Sequence, residues 1–199
     1  MPCVDELLRM SRRAVLAALA SVHPARGAAP VLVDCTAGNG HDTLFLAEAG
    51  GASCRVWAFD IQKEALIKAR ERVAAAGVAE RVAFLLAGHE AIAEMLPAAV
   101  QGEITAAVFN LGFLPGSDKR QITRAASTLK ALETLQTWLA PEGLISVHSY
   151  AGHPGGAEER AAVRRWFEGL AWSSWRVASY GFINKPNNPE ELFLARKRA

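Results

Sequence analysis

Apolar residues follow two alternating rhythms along most of the chain. Short unbroken runs, Val31-Leu32-Val33, Val56 to Phe59, Val82 to Leu86, Ala106 to Phe109 and Leu144 to His148, have the make-up of strands buried on both faces. Between them lie segments whose apolar positions recur every three or four residues, the spacing of a helix with one buried face. These are Thr43 to Ala47, Lys63 to Ala76, Glu90 to Leu96, Gln121 to Leu139 and about Ala157 to Leu170. Val4, Leu7, Leu8, Val15, Leu16 and Leu19 predict a further helix over residues 1–22. Gly50-Gly51 and Gly77 stand where helices end, and Pro97 and the Pro141-x-Gly143 pair predict breaks. His23 to Pro30, with Gly27 and two prolines, predicts a linker. Trp175 to Ile183 and Leu192 to Ala195 predict two strands joined by the turn-rich stretch Asn184 to Pro189, a connection that suits an antiparallel pair. Strands alternating with helices predict an α/β fold on a doubly wound, mostly parallel sheet. At 199 residues the chain fits one domain, with its sheet core over residues 31–199.

Composition removes several classes of function. Lys and Arg number 22 against 20 Asp and Glu, a net charge of +2, which excludes a polybasic nucleic-acid binder but leaves room for a local basic face. Cys3, Cys35 and Cys54 have neither CxxC pairing nor metal-ligand spacing, so they read as reduced thiols of a cytosolic protein. No apolar run approaches the roughly 20 residues of a membrane span. The first twenty residues carry Asp5, Glu6, Arg9, Arg12 and Arg13, and so lack the apolar core of a signal peptide.

The strongest local signal is Asp34-Cys35-Thr36-Ala37-Gly38-Asn39-Gly40-His41-Asp42-Thr43, at the passage from the first strand to the next helix. Gly38 and Gly40 allow a sharp turn and a close approach of backbone to ligand. Asp60 follows at the end of the second strand, where a carboxylate can accept hydrogen bonds from both hydroxyls of a ribose. Strand, turn, helix, strand and acid at this spacing predict an adenosine-type cofactor. The third glycine of a dinucleotide site is missing, and Asp42 near the helix start would repel a pyrophosphate. Asp34 and Asp42 suit instead a cofactor carrying a sulfonium and an ammonium, which favours S-adenosylmethionine over NAD.

Four stretches together resemble one bacterial family: Asp34 to Thr43, Phe59-Asp60-Ile61-Gln62, His89-Glu90 and Phe109-Asn110-Leu111-Gly112-Phe113-Leu114-Pro115-Gly116-x-Asp118-Lys119. Tyr150-x-Gly152-His153-x-Gly155-Gly156-x-Glu158 and Tyr180-x-Phe182-x-Asn184-x-x-Asn187 are similar to it as well. The family, long labelled rRNA methylases, is associated with methylating the 5-aminomethyl group of wobble 2-thiouridine in tRNA. The resemblance runs from about residue 31 to the C-terminus. It implies a Rossmann-like class I methyltransferase fold, with seven strands and an antiparallel last strand, in one catalytic domain that is often dimeric. It also implies a cofactor site of S-adenosylmethionine contacts at Asp34, Gly38, Asn39, Gly40, His41, Asp42, Asp60, Gln62, Gly88 and His89. Phe113, Ser117 and Lys185 stand where the family carries tyrosine, glycine and glutamine.

The loop after the fourth strand is expected to hold the acceptor, with the tRNA anticodon loop as partner. Asn110-x-x-Phe113 echoes the Asn/Asp-Pro-Pro-Tyr/Phe motif of amine methylating enzymes without its prolines. The Asn110 carboxamide oxygen can accept amine hydrogens and orient the lone pair for in-line attack, while Phe113 can stack on a base. An aliphatic amine is mostly protonated near neutrality, so it needs a proton acceptor or a depressed pKa; Asp118, His153 and Tyr150 are candidates. Leu114, Lys119, Arg120, Tyr150, Asn184 and Asn187 are expected on the substrate side, with the two cations meeting phosphate. No carboxylate or cysteine completes a ligand set with His148 and His153, so no metal is expected. Ribosomal RNA or a small amine is the alternative acceptor. A Rossmann oxidoreductase is disfavoured by Asp42, and a non-catalytic adenosyl-binding module by the loop from Asn110 to Lys119.

Overall fold

The computed structural model describes residues 2–22, 29–112, 123–152, 154–185 and 190–199. In chain order the main elements are α1 (Pro2–Ser21), β1 (Val31–Asp34), α2 (His41–Ala49), β2 (Arg55–Asp60), α3 (Lys63–Ala75), β3 (Val82–Leu86) and α4 (Ile92–Met95). They continue with β4 (Ile104–Leu111), α5 (Ala125–Trp138), β5 (Leu139–Tyr150), α6 (Gly156–Glu168), β6 (Trp175–Tyr180) and β7 (Glu190–Lys197). The strands form one sheet in the order β3-β2-β1-β4-β5-β7-β6. All neighbouring pairs among the first five are parallel, and β7 runs antiparallel to both β5 and β6. This is the class I methyltransferase architecture that the resemblance implies.

Alternation along the strands sorts the helices into two layers. Ala106 and Val108 of β4 pack with Val15 and Ala18 of α1, Leu46 of α2 and Val73 of α3. Their neighbours Ala107 and Phe109 face the opposite way, onto Ile92, Leu132, Leu135, Val163 and Phe167 of α4 to α6. Every residue of β1 is buried, as its unbroken apolar run predicts. The order of strands reverses between β1 and β4, and such a switch point opens a crevice at the C-terminal strand ends.

The strand expected over Trp175 to Ile183 ends at Tyr180, and those expected from Leu192 and Ala106 begin at Glu190 and Ile104; two further boundaries differ for a physical reason. The helix expected from Gln121 begins at Ala125, because Arg124 is extended at φ −130° and ψ 141°. Strand β5 begins at Leu139 and runs through Pro141 and Gly143, where a break was expected. The strand accommodates both residues by bulging: its register with β4 shifts between Ile104 and Ala106, and Glu142 sits at φ 66°. A Cβ on Gly143 would lie 2.8 Å from the Ile104 carbonyl oxygen, so the bulge needs glycine there.

Candidate active site

The turn after β1 is stapled to the strands on either side of it. Cys35 N donates to Val108 O at 2.9 Å and Ala37 N to Phe59 O at 2.8 Å, which fixes the turn over the ends of β4 and β2. Gly38 and Gly40 both take left-handed backbone, at φ 51° and 79°. At Gly40 the constraint is double, since a Cβ would come within 2.6 Å of Ala69 Cα on α3. Asp60 accepts from Gly38 N and from Gln62 N, each at 2.8 Å, one on each carboxylate oxygen. A carboxylate has about four lone-pair positions, so two remain for the vicinal hydroxyls of a ribose.

Beside this turn lies a cavity of about 630 Å³, in the range of a small-molecule site. His89 forms part of its wall, is 6% exposed, and stacks edge-on against Phe109. Its Nδ1 lies 3.0 Å from the Cys35 carbonyl oxygen. A carbonyl only accepts, so Nδ1 carries the hydrogen and Nε2 is bare. Burial lowers the His89 pKa and keeps the ring neutral.

On the other side Asn110 closes β4. Its backbone N donates to Thr36 Oγ1 at 2.7 Å, and its Nδ2 donates to Asp42 Oδ2 at 2.6 Å. An ionised carboxylate cannot donate, so the Asp42 contact decides which way the carboxamide points and leaves Oδ1 without a donor among the described residues. Asp42 is held in turn by Arg12 of α1, which reaches its other oxygen at 3.1 Å and lies 5.0 Å over the Phe45 ring.

The family described as "Putative rRNA methylase" matches residues 56–196. The chain belongs to this family. Its fold is the class I methyltransferase fold. A protein of Clostridium thermocellum, solved as a putative rRNA-methylase, superposes on the methyltransferase with a TM-score of 0.85 at 30% identity, covering 96% of both chains. A putative methyltransferase of Streptococcus mutans, solved in complex with SAH, gives a TM-score of 0.81 at 30% identity, over 96% of this chain and 97% of that one. A chloroplastic tRNA (mnm(5)s(2)U34)-methyltransferase of Arabidopsis thaliana is 35% identical over 174 residues, 83% of this chain. The chain spans 63% of that relative's length.

Gly38, Asn39, His41, Asp42, Asp60, Gln62, Gly88, His89 and Asn110 of the methyltransferase all line the one cavity. Gly40 lies beneath, packed on α3. Asp34 departs from its expected place. It is fully buried behind the turn, where Oδ2 accepts from Thr43 Oγ1 at 2.6 Å and Oδ1 from Thr36 N at 3.1 Å. Burial pushes its pKa up to about 7, aided by the negative Asp42. It braces the turn rather than facing a ligand, because its side chain is wholly buried and does not line the cavity. Asp42 does reach the cavity, but Arg12 offsets the charge expected to face the cofactor.

Tyr150 lies at the end of β5 with its hydroxyl 3.3 Å from His148 Nδ1 and does not line the cavity. Asn184 is exposed in the turn after β6. Phe113, Leu114, Asp118, Lys119, Arg120, His153 and Asn187 fall outside the described residues. The sequence pattern passes over Thr36 and Thr123, which line the cavity, and over Arg12 and Glu159, which contact Asp42 and Thr123 from outside it. Glu159 had a signal: with Val163 and Phe167 it forms a buried i, i+4, i+8 stripe on α6, an acid on an apolar face. Among the described residues no three His, Cys, Asp or Glu are grouped to hold a metal, and no helix is long and apolar enough to cross a membrane.

Proposed function

We propose that the protein N-methylates the 5-aminomethyl group of wobble 2-thiouridine in tRNA. The observation that carries the reading is Asn110: its carboxamide is locked by Asp42, with no donor to its oxygen among the described residues, at the edge of the cavity where the methyl donor belongs. The name of the Arabidopsis relative supports the same acceptor. When bound, S-adenosylmethionine supplies an electrophilic methyl on a sulfonium. Asp60 holds the ribose through its two spare lone-pair positions, with Gln62, Gly88 and His89 along the nucleoside. Asn110 Oδ1 accepts a hydrogen of the neutral amine and aims its lone pair in line with the carbon–sulfur bond.

Transfer of that methyl to the amine would release the donor as its thioether and leave an ammonium with a proton to shed. Phe113 stacks on the extruded base and Leu114 packs beside it, while Lys119 and Arg120 meet the phosphates of the anticodon loop. Tyr150, Asn184 and Asn187 complete the RNA side, and Asp118 or His153 takes the proton. The proposal extends to a single catalytic domain over residues 1–199, to the cytosol on the strength of the reduced thiols, and to a homodimer on the strength of the family resemblance.

The test is methyl transfer from labelled S-adenosylmethionine to bulk tRNA from a strain lacking its own enzyme, read by nucleoside mass spectrometry. One added methyl on 5-aminomethyl-2-thiouridine is the expected result. Label that appears only on ribosomal RNA, or on no RNA despite cofactor binding, overturns the proposed acceptor.

A further inference from the structure

Glu159 is a buried acid whose partners, among the described residues, include no cation. It sits in the first turn of α6, 2% exposed, and its two oxygens each accept one hydroxyl hydrogen. Thr123 Oγ1 donates to Oε2 at 2.6 Å, and Thr128 Oγ1 donates to Oε1 at 2.8 Å. Burying a carboxylate against neutral donors alone costs stability relative to an apolar or amide side chain. A group kept at that cost calls for a reason other than packing.

The reason lies at the far end of the chain of hydrogen bonds. Thr123 Oγ1, while donating to Glu159, accepts from Gly112 N at 3.0 Å. Thr123 N returns a hydrogen bond to Gly112 O at 3.1 Å. Gly112 is thus clasped on both its polar backbone atoms, in a conformation at φ 143° that favours glycine. It stands two residues beyond Asn110, and Gly112 and Thr123 both line the cavity. Every hydrogen in the chain has one direction: Gly112 N–H to Thr123, Thr123 O–H to Glu159, Thr128 O–H to Glu159. A carboxylate takes both hydroxyl hydrogens, whereas a carboxamide takes one and offers hydrogens where the other is needed.

We propose that Glu159 is a positioning residue for methyl transfer, acting through Thr123 to fix the backbone bend at Gly112 and so the setting of Asn110. The proposal rests on the functional reading above. It makes Thr123 the relay, and it makes the carboxylate, rather than the size of the side chain, the feature that matters.

The experiment uses the full chain with substitutions Thr123→Val, Thr123→Ser, Glu159→Gln and the double variant Thr123→Val with Glu159→Gln. Three quantities are read: exchange of the Gly112 amide hydrogen, the dissociation constant for S-adenosylmethionine, and kcat and KM on tRNA. Thr123→Val and Glu159→Gln are expected to speed Gly112 exchange and to lower kcat by about tenfold each, the worth of one hydrogen bond. Cofactor affinity stays within about threefold of wild type, and Thr123→Ser, which keeps the hydroxyl, restores both exchange and kcat. The double variant is no worse than the worse single one, since both break one chain. Unchanged exchange, unchanged kcat, equal losses in cofactor affinity and kcat, or additive losses in the double variant would each overturn the proposal. A wild-type chain that binds cofactor yet leaves tRNA unmethylated fails the substrate reading instead, and the clasp is then judged on Gly112 exchange alone.

Discussion

Asp42 divides its two oxygens between Arg12 and Asn110, and that division ties the orientation of the acceptor-side carboxamide to a residue on α1. Asp42→Ala frees the Asn110 amide to rotate, so turnover should fall about tenfold, the loss of one charge-assisted hydrogen bond. Arg12→Met leaves Asp42 in place and should cost less than Asp42→Ala. Its effect on stability should be below about 1 kcal/mol, because Arg12 is 40% exposed. Steady-state kinetics on both variants check the order, and a larger loss from Arg12→Met would mean that Arg12 acts by another route. Asp60 and Asn110 should separate binding from chemistry. Asp60→Ala loses the carboxylate assigned to the ribose and should weaken cofactor binding roughly 10- to 100-fold. Asn110→Ala should lower kcat with cofactor affinity nearly unchanged. Calorimetric titration of both variants decides this, and equal losses of affinity would refute the split.

At the scale of elements, the clearest dependence is the approach of the glycine turn to α3. Gly40→Ala would place a methyl 2.6 Å from Ala69 Cα while keeping φ at 79°, so backbone must move on one side or the other. The expected cost is about 1–3 kcal/mol of stability, with weaker cofactor binding alongside, because the displaced turn carries Gly38 N away from Asp60. Urea unfolding and a cofactor titration measure both; an unaffected midpoint would mean that α3 yields without strain. This turn was legible in the sequence because its parts are contiguous, from Asp34 to Thr43, and its acid closes the next strand. The five parallel strands were legible for a similar reason, since burial on both faces leaves unbroken apolar runs. The start of α5 was not. Ile122 and Ala125 fit a helical stripe, yet Thr123 turns its backbone to Gly112 and its hydroxyl to Glu159, partners 11 and 36 residues away. The early start of β5 was hidden because a proline reads as a break unless the bulge that admits it is known. Asp34 was misread for a further reason. Sequence spacing puts an acid near the cofactor turn but does not say on which side of the backbone it lies.

For the molecule as a whole, two buried groups pull stability in opposite directions as pH changes. Asp34, held neutral by burial and by Asp42, titrates at about 7 in the folded chain against an ordinary value of 3.8. Between those values the folded state binds the extra proton, so stability falls as pH rises from about 4 to 7. Three pKa units at about 1.4 kcal/mol each set the change at up to about 4 kcal/mol. His148 is lowered from 6.5 to about 4 by burial, against the pull of Glu190 and Asp42. Here the unfolded state binds the proton first, so stability falls as pH drops from about 6.5 to 4, by up to about 3 kcal/mol. The two slopes offset one another across the window they share, and each should emerge when the other is removed. Relative to wild type, Asp34→Asn should be stabilised above pH 7 and lose that advantage on acidification. His148→Gln should show the reverse, gaining relative stability as pH falls below 6.5. Urea denaturation at several pH values from 4.5 to 8 reads both differences, and other titrating groups such as His89 cancel in the comparison. An Asp34→Asn variant that parallels wild type at every pH would mean that Asp34 is ionised in the folded chain. The turn beneath the cofactor cavity would then rest on a buried negative charge, and Thr43 and Thr36 would have to hold it unaided.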